Sequence, residues 1–304
     1  MISKPCEMKF DDKKLSVIIA GVAGIGKTTL ALSSPKPLLV DLDKGVSRVE
    51  ARYRTDTAIV NSYDELMKDL KEADLSAYET IVIDTGGKLL EMMKPIVIKE
   101  DSKNGKRDGN LSLQGYGAIK RKFAEFISFV KTLNKHLVIV FHATEVNLTN
   151  DVTGLRIRME GSSRDEVWDD IDIGGFIEMN GNVRTISFNN CERFYAKGTH
   201  GIHGVYEIPT LEKGNRNTFL TDMFKRVKED LNEEVKEMNN YEQLMNIFIP
   251  KIEECKNKED LNELLKLLGT TTHYLTSKEE LWFKLNETAK QINSVYDKRE
   301  KQFV

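Results

Sequence analysis

The chain has 304 residues, 40% hydrophobic and 31% charged, an ordinary composition for a soluble protein, and its formal net charge of −3 does not suggest a general nucleic-acid binder, though a local groove can still be basic. Its three cysteines (Cys6, Cys191, Cys255) contain no C-x-x-C, so neither a disulfide framework nor a zinc site is indicated. No apolar run reaches the length of a membrane span and the N-terminus lacks a signal-peptide core, so the expectation is a cytoplasmic protein with no membrane partner.

Residues 1–14 read as a polar lead-in. An apolar strand over 15–20, a glycine-rich turn over 21–28 and a helix over 28–33 follow, and Pro35 and Pro37 break that helix. Strands are predicted over 38–41, 57–60, 80–85 and 137–141, and helices over 63–72, 87–98 and 113–133. The last helix places Phe123, Phe126, Ile127 and Val130 on one face. Apolar strands alternating with helices predict an α/β fold with a mostly parallel central sheet and helices on both faces. After residue 142 the pattern changes. Segments 146–149 and 155–159 alternate around Asn150–Gly154 and predict a hairpin, and segments 175–179 and 183–188 predict a second one around Asn180-Gly181-Asn182. Pro209 and the run at 214–217 mark a boundary, beyond which everything reads as helix. The domains expected are a core over 15–211 and a helical C-terminal region over 212–304. Residues 222–304 carry 14 Lys/Arg and 17 Asp/Glu, so the whole acidic excess lies there.

The turn at 21–28 has the most specific chemistry. Gly21-Val22-Ala23-Gly24-Ile25-Gly26-Lys27-Thr28 fits G-x-x-x-x-G-K-[ST], a phosphate-binding loop. Its glycines let successive backbone N–H groups point at phosphate oxygens, and the following helix, through Thr29, presents its positive end. Lys27 reaches the β- and γ-phosphates and the Thr28 hydroxyl ligates Mg²⁺, so ATP and Mg²⁺ are the expected cofactors. Ile81-Val82-Ile83-Asp84 is a buried strand ending in an acid, placing Asp84 beside that Mg²⁺. The alternative role for Asp84 is to cap the next helix.

Three further groups fall at strand ends. Asp43, with Asp41 as second choice, ends the strand after the phosphate-loop helix and is the candidate for orienting the attacking water; a simple turn at Asp43-Lys44-Gly45 is the plainer explanation. His142 closes the 137–141 strand and is a candidate γ-phosphate sensor, or else a histidine satisfied by loop backbone. Lys197, with Arg193 behind it, is a candidate cation for the nucleotide of its own or a neighbouring chain, although an exposed lysine needs no such role. Two loops are candidate DNA contacts: one with Lys99, Lys103, Lys106 and Arg107, the other with Arg156, Arg158 and Arg164. Both are expected at the carboxyl edge of the sheet, and solvated loops are the alternative. Lys120-Arg121-Lys122 reads as the exposed face of its helix.

Taken together, the 21–28 loop, Val40-Asp41-Leu42-Asp43, Ile83-Asp84-Thr85, Gln114-Gly115-Tyr116-Gly117 and Val140-Phe141-His142 resemble the RecA-like ATP-binding proteins of bacteriophages, the small ATPases grouped with phage single-strand annealing proteins. The resemblance covers roughly residues 10–210. It implies a RecA-like P-loop NTPase core in which the strand carrying Asp41 lies beside the first strand, with Asp43 standing where RecA carries a longer Glu. It further implies an ATPase acting on single-stranded DNA in annealing or recombination, working with a single-strand-binding protein, and a homo-oligomer in the form of a ring or filament. Segment 145–164 sits where RecA-type proteins carry a DNA loop, and Lys197 near where they carry cations for a neighbour's ATP.

A second reading is a nucleotide-switched interaction protein with the helical tail as output and little hydrolysis. A third, a small-molecule kinase, fits less well, because the arginines of a phosphate lid would here lie in a hairpin.

Overall fold

The computed structural model describes residues 4–149, 152–159, 166–212 and 215–304. The chain divides into two compact units, Asp12–Val227 and Lys228–Val304, the latter including the N-terminal segment up to Asp11. The division falls at residue 227, within a helix, where the sequence places a boundary at 212.

The first unit starts with β1 (Ser16–Gly21), α1 (Lys27–Ala31), β2 (Pro37–Asp41), β3 (Thr57–Ala58) and α2 (Tyr63–Glu72). Ser62 caps α2, its Oγ accepting from Glu65 N–H, while the Glu65 carboxylate accepts from Asn61 N–H. Next come β4 (Thr80–Asp84), α3 (Gly86–Glu100) and α4 (Leu113–Thr132), the two helices capped by Thr85 and Ser112. Then follow β5 (His136–Thr149), β6 (Val152–Ile157), β7 (Ile173–Asn180), β8 (Val183–Ser187) and β9 (Val205–Glu207).

The main sheet runs β3-β2-β4-β5-β1-β7-β8-β9, with β6 paired to β5. From β3 to β7 every pairing is parallel, and the two pairings beyond β7 are antiparallel. The expectation that β2 lies beside β1 is corrected: β4 and β5 stand between them. Val17–Ala20, Ile81–Ile83 and Leu137–Phe141 are wholly enclosed and their strands lie inside the sheet, as does β2, which pairs on both sides; the half-buried two-residue β3 takes the edge.

Alternation along the strands assigns the two faces. Ile18, Ala20, Val40, Ile83, Ile139 and Phe141 pack with α2, α3 and α4 in one continuous core. Each fully enclosed Val, Ile or Phe side chain among them contributes about 1.5–3 kcal/mol. On the opposite face the ring of His136 stacks on Phe224, with centroids 4.6 Å apart. Phe224 lies in α5 (Phe219–Glu253). The start of α5 is tied to the end of α1: Leu220 N–H donates to Ser33 Oγ at 2.9 Å, and Thr221 N–H and Oγ–H both donate to Ser33 O, at 3.0 and 2.7 Å.

Two local expectations change. The 137–141 strand and the first arm of the hairpin are one strand, because nothing between Phe141 and Thr149 interrupts extended backbone. Its turn is also shorter than Asn150–Gly154, since Val152, Thr153 and Gly154 belong to β6.

The second unit holds the later turns of α5, α6 (Lys258–Thr270), α7 (Ser277–Gln291) and the small antiparallel pair β10 (Tyr296–Asp297) and β11 (Gln302–Phe303). Its core gathers Phe248, Ile252, Leu261, Leu281, Leu285 and Phe303. The all-helical expectation for this region is corrected by β10 and β11, whose Tyr296 and Phe303 rings pack on Trp282.

Candidate functional site

Strand register gathers the candidate groups at the carboxyl ends of the central strands. Gly21 stands level with His142, and Asp84 level with both Asp41 and Val140. The loop after β1 turns on Gly24 and Gly26, whose φ values of +79° and +91° lie in the left-handed region. Because α1 has only five residues, it adds little of a helix dipole, and the loop's own amides carry the anion-binding character.

Lys27 is 5% exposed, and its Nζ donates to Val22 O at 2.7 Å. Burial holds its ammonium below the usual lysine value, opposed by the charges of Asp84 and Asp43. Thr28 Oγ1 donates to Asp84 Oδ2 at 2.5 Å. Burial pushes the Asp84 carboxyl up. The Thr28 hydrogen bond opposes that rise, and the Asp41 and Asp43 charges add to it. A hydroxyl and a carboxylate oxygen converging beside a phosphate loop fit Mg²⁺, which takes one or two protein oxygens and completes its shell with water and phosphate. Among the described residues no cluster of three or more His, Cys, Asp or Glu is able to hold a metal alone.

The two acids after β2 have different surroundings. Asp41 is 2% exposed, and its two carboxylate oxygens accept from Gly45 N–H at 2.9 Å and Val46 N–H at 2.8 Å. It shapes the turn that carries Asp43. The Asp43 carboxylate lies 3.2 Å from Arg48 Nη2 and 3.8 Å from His142 Nε2. The peptide N–H groups of Leu42 and Asp43 donate to Asp84 O at 2.7 and 3.2 Å, fixing this turn against β4. Asp43 and His142 also line a cavity of about 510 Å³ together with Thr85, Lys88, Tyr116 and Arg158.

His142 Nδ1 is buried without a hydrogen-bond partner among the described residues. Burial first, then the Lys27 charge, hold the imidazole below its ordinary 6.5, and Asp43 opposes them. His142 is therefore neutral at pH 7. An NMR titration of its ring is expected to show a midpoint below 6.5, and a midpoint at or above 6.5 contradicts this arrangement. The sign for stability follows: the unfolded imidazole takes up its proton first, so this group weakens the fold as pH falls below about 6.5.

The other sequence candidates scatter. Lys197 Nζ donates to the carbonyls of Trp168 and Asp169, both at 3.0 Å, and its backbone bridges to Gly174, so it does not join the phosphate loop of its own chain. Arg193 pairs with Glu178 at 2.9 Å. Arg156 Nη1 donates to the carbonyls of Leu155 and Arg193. Arg158 does reach the site, through its cavity position and its N–H bond to His142 O at 2.6 Å. Arg164 lies outside the described residues. The loop with Lys103, Lys106 and Arg107 sends Leu111 to the cavity wall, but none of its cations lines it. Lys122 pairs with Glu100 and Glu125, and Lys120 with Asp169.

One residue at the site has no sequence signal. Arg184 of β8 leans on the phosphate loop, its Nη1 3.5 Å from Ile25 O, and a Cβ at Gly26 would run into its guanidinium.

A family model described as AAA domain matches residues 13–200. Among solved structures, a KaiC-like protein from the hyperthermophilic archaeon Pyrococcus horikoshii OT3 is similar at 12% identity and a TM-score of 0.35, over 64% of this chain and 89% of that one. No curated protein matches the chain. The family match spans more than half of the sequence and contains the phosphate loop, Asp43, Asp84 and His142: the chain belongs to the AAA domain family.

Proposed function

We propose that the protein is a Mg²⁺-dependent ATPase whose turnover is coupled to single-stranded DNA, serving annealing or recombination in the manner of its bacteriophage look-alikes. The observation that carries the hydrolytic part is the convergence of Thr28 on Asp84 at 2.5 Å, beside Asp43 and His142, themselves 3.8 Å apart at the same sheet edge. Loop amides cradle the phosphates, and Lys27 leaves Val22 O for the β- and γ-oxygens. Thr28 and Asp84 would hold Mg²⁺, which would supply neutralisation of charge on the transferring phosphoryl group. Asp43 orients a water whose oxygen bonds to the γ-phosphorus as the bond to the ADP oxygen breaks. The water's proton passes to the Asp43 carboxylate, and His142, 3.8 Å away, senses the change.

The DNA part is supported by Lys88, Lys94 and Arg158 around the cavity that opens beside Asp43. A single-strand-binding protein is the proposed protein partner, and a ring or filament of copies the proposed assembly. In an ATPase assay, single-stranded DNA is expected to raise turnover several-fold, with the stimulation fading as salt rises. Equal turnover with and without DNA removes the DNA half of the proposal. A second reading, a nucleotide-switched interaction protein with the helical tail as output, draws support from the bonds between Ser33 and the first turn of α5. Tight ATP binding with slow turnover that DNA leaves unchanged favours it.

A further inference from the structure

We propose that Arg48 is a positioning residue for hydrolysis: its guanidinium fixes the direction of the Asp43 carboxylate, and position 45 is a glycine so that the guanidinium can lie across it. The inference rests on the reading of Asp43 as the group that orients the water.

The segment from Asp41 to Arg48 builds this contact in steps. Asp41 is enclosed, and its carboxylate closes the turn by accepting from Gly45 N–H and Val46 N–H. A single 3₁₀ turn over Val46–Arg48 follows, with Arg48 N–H donating to Gly45 O at 2.9 Å. That sets the Arg48 backbone, and the side chain folds back over the turn. Its Nη2 donates to Asp43 Oδ2 at 3.2 Å and to Asp43 O at 3.4 Å. One nitrogen therefore ties the carboxylate to the carbonyl of its own residue, which restrains rotation of the side chain. The Asp43 backbone is held separately, its N–H donating to Asp84 O at 3.2 Å. His142 Nε2 also approaches Oδ2, at 3.8 Å. Both contacts of the carboxylate fall on Oδ2, leaving Oδ1 to take the water's proton.

Gly45 points to the same contact. Its φ of −101° and ψ of −3° lie in a region open to any residue, and the left-handed position of this turn is Lys44, at φ +51°. The backbone therefore does not call for glycine at 45. Space does: a Cβ there would lie 2.6 Å from Arg48 Nη2 and 3.1 Å from its Cζ. The Arg48 side chain is 67% exposed and that of Asp43 29%, and an ion pair so open to water adds little to stability. What it supplies is orientation, to which in-line attack on a phosphorus is sensitive at the scale of an ångström.

Steady-state ATPase kinetics, Mg-ATP calorimetry and thermal melts on the full chain test this. Arg48→Ala is expected to lower kcat about tenfold, with KM, ATP affinity and the melting midpoint unchanged. Gly45→Ala keeps the charge but pushes the guanidinium off Oδ2, and is expected to lower kcat by a similar factor. In an Asp43→Asn background, Arg48→Ala is expected to cause no further loss, because the two side chains act as one unit. Wild-type kcat in Arg48→Ala or in Gly45→Ala, a loss of ATP affinity in either, or an undiminished further loss in the Asp43→Asn background overturns the positioning role and leaves that of Asp43 standing. Wild-type kcat in Asp43→Asn itself removes both.

Discussion

Lys27→Ala is expected to lower Mg-ATP affinity by about 10²-fold or more while the protein stays folded. The ammonium is enclosed by the loop and has a single backbone acceptor, Val22 O, so its charge is held close to the place where phosphate enters. Removing it takes away the cation that meets the β- and γ-oxygens. The fold is expected to tolerate the change for an electrostatic reason. Burial lowers the Lys27 pKa, so the charged form is penalised in the folded chain relative to the unfolded one. That penalty is present at neutral pH and vanishes only above the unfolded value of 10.5, so the alanine variant is relieved of it. Calorimetric titration reads the affinity and a thermal melt reads the fold. Undiminished affinity in a folded variant refutes the loop assignment.

Asp43→Asn is expected to reduce kcat by roughly 10²–10⁴-fold with ATP affinity nearly unchanged. Its carboxylate faces His142 and Arg48 at the cavity mouth, while the phosphate grip belongs to the loop amides, Lys27 and Thr28. The amide keeps the size of the side chain and loses its ability to accept the water's proton. Asp41 offers the contrast. Both of its oxygens are engaged by Gly45 and Val46, so Asp41→Asn disturbs the turn and lowers thermal stability as well as turnover. Steady-state kinetics with binding titrations on the two variants separate these outcomes. A folded Asp43→Asn protein with wild-type kcat would falsify the role given to Asp43.

The parts of the site that the sequence made legible share one trait: each follows a run of apolar strand residues. The loop at 21–28, Asp43, Asp84 and His142 all follow runs such as Ile81–Ile83 or Leu137–Phe141, and a parallel sheet brings such ends to one edge whatever the strand order. Strand order itself is a non-local outcome, which is why β2 came out two places further from β1 than the resemblance implied. Arg184 gave no signal because a lone arginine on a five-residue strand carries no periodicity, and only the folding of β8 beyond β7 brings it to Ile25. Lys197 is the complementary case: its neighbours in sequence suggested a strand cation, while within its own chain the carbonyls of Trp168 and Asp169 accept from its ammonium. β10 and β11 were illegible because two residues each are too few for an alternating pattern.

The unbroken course of β5 has a mechanical consequence. His142 stands midway along a strand that continues to Thr149, and at about 3.3 Å per residue that span is a spoke of roughly 23 Å with β6 bracing it. The register shift between Asn147 and Thr149 lies near its far end, so the stretch next to His142 has no hinge. A pull on this strand at Asn147 is expected to reach His142 as a shift along the backbone.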